Sequence, residues 1–211
     1  MRASLLCCLL LALGLLAGCP SPAAPAASPG PPTPTPLPAT GQACAPLPGP
    51  APTVPAFIPG YLELDPAANL HITGSYRQLD PEQYRLKVFG KVNQSLALTL
   101  SELRCLPRRE ARPELVCPGF FVDNANWAGA DLGAVLALAG VQADAVAIRL
   151  RAADGYGADV SLAAALSQEA FLAYEWEGQA VPVLHGFPVR AVFPREEGNR
   201  WVKWLVEIEV N

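Results

Sequence analysis

Charge is missing from the start of this 211-residue chain: no Asp, Glu, Lys or Arg lies between Arg2 and Glu63. All 19 acids and 14 of the 15 bases fall in residues 63–211. That block is net acidic, so it lacks the basic footprint of a general nucleic-acid binder, and no nucleic-acid partner is expected. Histidine is scarce. His71 and His185 are the only two, without H-x-x-x-H spacing, which makes a poor zinc set. No G-x-S-x-G elbow is present, which removes the serine-hydrolase reading. No C-x-x-C-H occurs, so no haem is attached covalently through that motif. The longest apolar run, Leu5–Ala17, has 13 residues, short of the ~20 that a membrane-spanning helix needs. No repeat of 20–50 residues is visible.

What the first 60 residues do contain is an address and a spacer. Arg2, the apolar run and Leu16-Ala17-Gly18-Cys19 read as a signal peptide over 1–18. The last four residues resemble the bacterial lipoprotein box. That resemblance implies cleavage before Cys19 and acylation of Cys19. Several acyl chains, at ~0.8 kcal/mol per buried methylene, would hold the protein on the membrane. The expected location is extracytoplasmic, lipid-anchored to the bacterial cell membrane. Residues 20–60 hold 15 of the 23 prolines. Pro, Ala, Gly, Ser and Thr offer no core and favour extended polyproline II. Residues 19–60 are therefore read as the acylated Cys and a tether, and its 36-residue stretch Pro20–Pro55 reaches ~110 Å at ~3.1 Å per residue.

The folded domain is assigned to 61–211, enough chain for its own core. Alternation marks strands at Tyr84–Val92, Leu96–Leu100, Glu114–Cys117, Ala145–Arg151, Phe171–Trp176 and Pro188–Phe193. Ser101 is expected to cap a helix Glu102–Leu106, Asp131 a helix Leu132–Ala139 ended by Gly140, and Ser161 a helix Leu162–Ser167. Trp201–Val210 reads as helix then strand. Short strands with short inserted helices argue a single α+β domain, mostly β.

Two segments carry chemistry. Leu184–Trp204 reads L-H-G-F-P-V-R-A-V-F-P-R-E-E-G-N-R-W-V-K-W. Leu115-Val116-Cys117 is followed by Trp127 and Gly129 and then a helix. Together they resemble the molybdopterin-binding domain of the sulfite oxidase family, in which an H-G-x-P-x-R strand precedes a Pro, a Gly and V-K-W. K-V-F-G-K-V (87–92), L-T-L-S-E-L (98–103) and D-G-Y-G-A-D-V-S-L (154–162) are weaker matches. The resemblance runs from about Tyr84 to Val210. It implies a molybdopterin cofactor with molybdenum and an oxidoreductase doing oxygen-atom or electron transfer. It further implies Cys117 as the metal ligand, and His185, Gly186, Arg190, Val202, Lys203, Asp154 and Tyr156 as cofactor-binding residues. The chemistry agrees. Arg190 offers paired donors to a phosphate and Lys203 a compact charge. His185 can donate from a ring nitrogen, and Gly186 and Gly198 let backbone approach a ligand. Arg190, Lys203 and a metal would also surround the Cys117 thiol with positive charge and lower its pKa. With no haem motif, electrons would pass to a separate carrier protein. The bland readings are a turn His, an exposed strand Arg, a solvated Lys and Trp residues that pack the core.

The departures from the family pattern matter as much. Cys117 is followed by Pro118-Gly119-Phe120-Phe121, where sulfite oxidases carry a Gly-Asn-Arg type segment. The family's Arg/Asn/His cluster before the first domain strand is replaced by Phe57-Ile58-Pro59-Gly60-Tyr61, with only His71 near. No immunoglobulin-like second domain follows before Asn211. The expectation is a small single-domain bacterial member, and the departures count against sulfite without assigning another substrate. The alternative is a cofactor-free binding or structural lipoprotein that keeps the fold. The leader supports it, because molybdopterin proteins usually leave the cytoplasm folded through a twin-Arg pathway and this leader has only Arg2. After processing, Cys44, Cys105 and Cys117 remain, and an oxidising compartment permits one disulfide. All three pairings are open. Cys44–Cys105 is favoured; either pairing that uses Cys117 would remove the metal ligand.

Overall fold

The computed structural model describes Cys44 and residues 47–211. The signal peptide, Cys19 and most of the tether lie outside the described residues. Among the described residues no helix is long and apolar enough to cross a membrane. The chain builds a hairpin, β1 (Leu64–Asp65) and β2 (Leu70–His71), then β3 (Leu86–Gly90), β4 (Leu96–Leu98) and helix α1 (Leu100–Leu103). Strands β5 (Arg108–Ala111), β6 (Glu114–Cys117), β7 (Phe121–Asn124) and β8 (Trp127–Asp131) precede helix α2 (Leu132–Ala139). Then come β9 (Ala147–Ala152), β10 (Gly157–Ser161), helix α3 (Leu162–Ala165), β11 (Phe171–Trp176), β12 (Gln179–Ala180), β13 (Arg190–Val192) and β14 (Leu205–Val210).

One sheet runs β10-β9-β14-β3-β4, with β14 parallel to β3 and the other pairs antiparallel. A second runs β12-β11-β8-β5, with β13 also on β11. Each face turned inward follows from alternation: Leu86 and Val88 of β3 are buried while Lys87 between them is exposed. Leu86, Val88, Ile148, Leu150 and Ile208 from the first sheet share one core with Trp127, Leu172, Tyr174 and Val192 from the second and with Val135 and Leu136 of α2. The mostly-β α+β domain is thus as expected from the sequence. The sheets' outer polar residues pair across strands, as in Arg149–Asp159 at 2.8 Å.

Several local expectations change. Thr99, not Ser101, caps α1: its side chain accepts from Glu102 N–H while Glu102 returns to the Thr99 N–H. This reciprocal box satisfies two helix-end donors, which Ser101 could not do. Asp131 and Gly140 bound α2 as expected, and Ser161 caps a shorter α3. Strands β5, β7, β8 and β10 lie outside the strands expected from alternation. Trp201–Trp204 is not helix: Trp204 sits at φ +48°, its indole donating to Val183 O at 2.7 Å. The expected strand Pro188–Phe193 contracts to Arg190–Val192. Cys44 and Cys105 form a disulfide with Cα atoms 4.9 Å apart, and Cys117 is a free thiol. The favoured pairing is the one present.

Candidate functional site

Four loop systems meet over a cavity of about 320 Å³. The first is the turn Val183–His185 leading into β13; the second is the irregular run Gly198–Lys203 between β13 and β14. Ala191 N–H donates to Val202 O at 2.8 Å and Leu205 N–H to Val189 O at 2.9 Å. These bonds lock the two runs side by side and bring Arg190 and Lys203 to one wall. The third system is the β9–β10 turn, where Asp154 accepts from Tyr156 N–H at 3.0 Å. Tyr156 Oη donates to Asn199 O at 2.7 Å, tying this turn to the second run. The fourth is the pair of hairpins β1–β2 and β6–β7, which bring His71, Cys117, Phe121 and Asp123.

Of the residues singled out in the sequence, Cys117, Asp154, Tyr156, His185, Arg190, Val202 and Lys203 all line this cavity. Gly186 does not. It lies beneath, at φ +115°, where a Cβ would meet Arg190 Cβ at 3.0 Å and Lys203 Cα at 3.1 Å. Its role is to let those two elements close up. Gly198 lines the cavity, but a Cβ there would meet Leu115 Cδ2 at 2.7 Å, so it makes room for a hairpin.

The electrostatics of the floor are unusual. Arg190 is buried, with its guanidinium 4.4 Å over the Trp127 ring and 5.8 Å from that of Trp201. Nη1 donates to His185 O at 3.2 Å, and the buried Nε has no partner. Burial lowers the Arg190 pKa to about 9, so the group keeps its charge at neutral pH. Lys203 donates to Leu184 O at 3.3 Å and to Thr73 O, with its ammonium 4.8 Å over the Trp204 ring. Burial, and then Arg190, lower its pKa to about 7. Among the described residues neither cation forms an ion pair. His185 Nε2 lies 2.9 Å from Asp65 Oδ2. Burial and Lys203 hold its pKa down at about 3 despite Asp65, so the ring is neutral. Its Nε2–H is therefore committed to Asp65, which leaves Nδ1 of the neutral ring as an acceptor.

Cys117 contradicts one expectation. Burial raises its pKa, and Asp123 and Glu197 raise it further. The protein charges that act on the thiol are thus acidic, and the lowering expected from Arg190 and Lys203 is not among them. The sequence reading also passed over Asp65, Asp123 and Phe121. Asp123 Oδ1 lies 2.7 Å from His71 Nδ1, and Oδ2 accepts the His71 N–H at 2.8 Å. The signal was present as one acid interrupting an apolar strand, F-V-D-N.

The residues fit a phosphate-bearing pterin. Two buried cations without acid partners, one with an orphaned donor, are the arrangement that an anionic ligand completes. Among the described residues no group of three His, Cys, Asp or Glu side chains could hold a metal. A metal at Cys117 would have to bring most of its own ligands.

Residues 73–211 match the family described as oxidoreductase molybdopterin binding domain. Human mitochondrial sulfite oxidase is 38% identical over 162 residues, covering 63% of this chain and 30% of that protein. A putative protein-methionine-sulfoxide reductase subunit of Azospira oryzae is 30% identical over 129 residues, covering 61% and 49%. The sulfane dehydrogenase SoxCD from Paracoccus pantotrophus superposes with a TM-score of 0.61 at 26% identity, over 64% of this chain and 40% of that one. The chain spans less than a third of the length of the human sulfite oxidase it matches. With the match running from Thr73 to Asn211 and every implied cofactor residue except Gly186 lining one cavity, the chain belongs to the oxidoreductase molybdopterin-binding domain family, that of the sulfite oxidases.

Proposed function

We propose that the domain holds molybdopterin and its molybdenum in this cavity, as an extracytoplasmic oxidoreductase anchored to the membrane by lipidated Cys19. The observation that carries the reading is the buried pair Arg190 and Lys203, neither of which forms an ion pair among the described residues. Burying two cations without an anion is costly, and a phosphate between them offsets that cost. When bound, the cofactor supplies a metal that changes oxidation state and exchanges an oxygen atom or electrons with a substrate. Arg190 would present its planar donors and Lys203 its ammonium to the phosphate. Cys117 would give the metal a soft ligand, losing its proton on binding, since thiolates and not thiols ligate metals. Val202 and Trp201 would exclude water from the floor. Electrons would leave through a separate carrier protein. The substrate is not assigned to sulfite: no cation follows Cys117, and the charges acting on its thiol are Asp123 and Glu197.

The test is metal and pterin analysis of protein purified from its native host. About one molybdenum and one pterin per chain, with a thiolate-to-metal absorption band lost in Cys117→Ser, is the expected result. Protein with neither, and with Cys117 reduced, would instead support a cofactor-free lipoprotein, for which the leader's single Arg2 would be the explanation.

A further inference from the structure

The hairpin that carries Cys117 belongs to neither large sheet. Strands β6 and β7 pair only with each other among the described strands, Cys117 opposite Phe121 and Leu115 opposite Asp123. Alternation turns Phe121 and Asp123 inward and leaves Val122 and Asn124 exposed. Both inward residues of β7 end on one side chain. The Phe121 ring stacks on the His71 imidazole, centroids 4.3 Å apart and planes 10° from parallel. The buried Asp123 carboxylate takes the His71 N–H on one oxygen and faces Nδ1 with the other. On the opposite side the hairpin rests against the Gly198 turn.

We propose that His71 is the positioning residue for Cys117. It latches β7 at two points, one of them the cross-strand partner of the cysteine, and so fixes where the sulfur sits on the cavity wall. This use of the latch rests on Cys117 being the metal ligand. The floor cations lie on other elements, so the latch should govern the metal end of the site and leave pterin retention alone.

Alkylation of Cys117 by iodoacetamide in cofactor-free protein, compared as the rate per thiolate taken from a pH profile of each variant, reads the latch without the metal and apart from the charge of Asp123. His71→Ala should speed it about tenfold, the scale of one lost buried hydrogen bond feeding a local opening. Asp123→Asn keeps the shape and one acceptor, and should speed it less. His71→Asn keeps a donor near the Nδ1 position and loses the stack, so it should recover part of the protection. In loaded protein, His71→Ala should lower the molybdenum-to-pterin ratio or shift the thiolate-to-metal band. Wild-type alkylation rates in both His71→Ala and Asp123→Asn would overturn the latch, as would a His71→Ala protein with an unchanged band and an unchanged ratio. A Cys117→Ser protein that keeps its molybdenum and its band would instead overturn the ligand assignment, while the alkylation rates still reported on the latch.

Discussion

Lys203 is a cation placed where a cation is poorly solvated, and that makes its binding chemistry depend on pH. Its pKa is lowered to about 7 without a ligand. An anion placed beside it favours the charged form and raises the pKa toward the ordinary lysine range. Binding therefore takes up a proton above pH 7, and affinity should fall as pH rises from about 7 toward the ligated pKa. Inorganic pyrophosphate titrated into cofactor-free protein by calorimetry should show this fall, and Lys203→Arg should flatten it. Arg190→Ala and Lys203→Ala should each weaken cofactor retention roughly ten- to hundred-fold, as one charge-assisted hydrogen bond of about 1.5–3 kcal/mol implies. Arg190→Lys should recover little, since the paired fork and the contact with the Trp127 face are both lost. The pterin content of each purified variant, with Arg151→Ala as a surface control, checks the assignment. His185 adds a stability term of defined sign. Its folded pKa of about 3 lies below the unfolded 6.5. The unfolded chain therefore binds the extra proton, and the domain loses stability as pH falls from 6.5 toward 3.

At the scale of elements, the site depends on close approaches that a single methyl group would spoil. Gly198→Ala would press a Cβ against Leu115 Cδ2 and Val116 O, at 2.7 and 3.1 Å. Overpacking of this kind costs about 1–3 kcal/mol. Urea melts should show the loss, and Cys117 alkylation should quicken, because the clash falls on β6. The same scale shows what alternation could and could not reveal. Tyr84–Val92, Glu114–Cys117 and α2 were legible because each buries a regular stripe against the core, and Phe171–Trp176 because its run of aromatic and aliphatic residues ends at the Glu177-Gly178 turn. Strand β8 was not, because W-A-G-A-D is buried at four of its five positions and has no alternation. Strand β5, R-R-E-A, is charged and held by cross-strand pairs such as Arg108–Glu175 at 2.7 Å. The helix expected in Trp201–Val210 failed because Trp204 spends its indole N–H on Val183, a contact no local pattern contains.

For the whole molecule, the Cys44–Cys105 disulfide closes a loop across a sequence separation of 61 and joins the Pro-rich segment to the second residue after α1. Neither cysteine lines the cavity. Reduction should lower stability by about 2–4 kcal/mol while leaving pyrophosphate affinity unchanged, and calorimetry with and without reductant separates the two. Cys19→Ala should move the protein from the detergent phase to the soluble fraction, since Leu5–Ala17 is too short to span. Sequence alone determined the family, the motif residues Arg190, Lys203 and Cys117, and the mostly-β class, because these rest on residue type and short spacing. Only the tertiary structure decided their electrical state. Lys203 meets Thr73 across 130 residues of chain, His71 meets Asp123 across 52, and His185 meets Asp65 across 120. Desolvation and charge proximity are properties of surroundings, and those surroundings come from segments that no motif connects. The acidic field at Cys117 and the buried cations without ion-pair partners on the floor therefore existed only once the chain had folded.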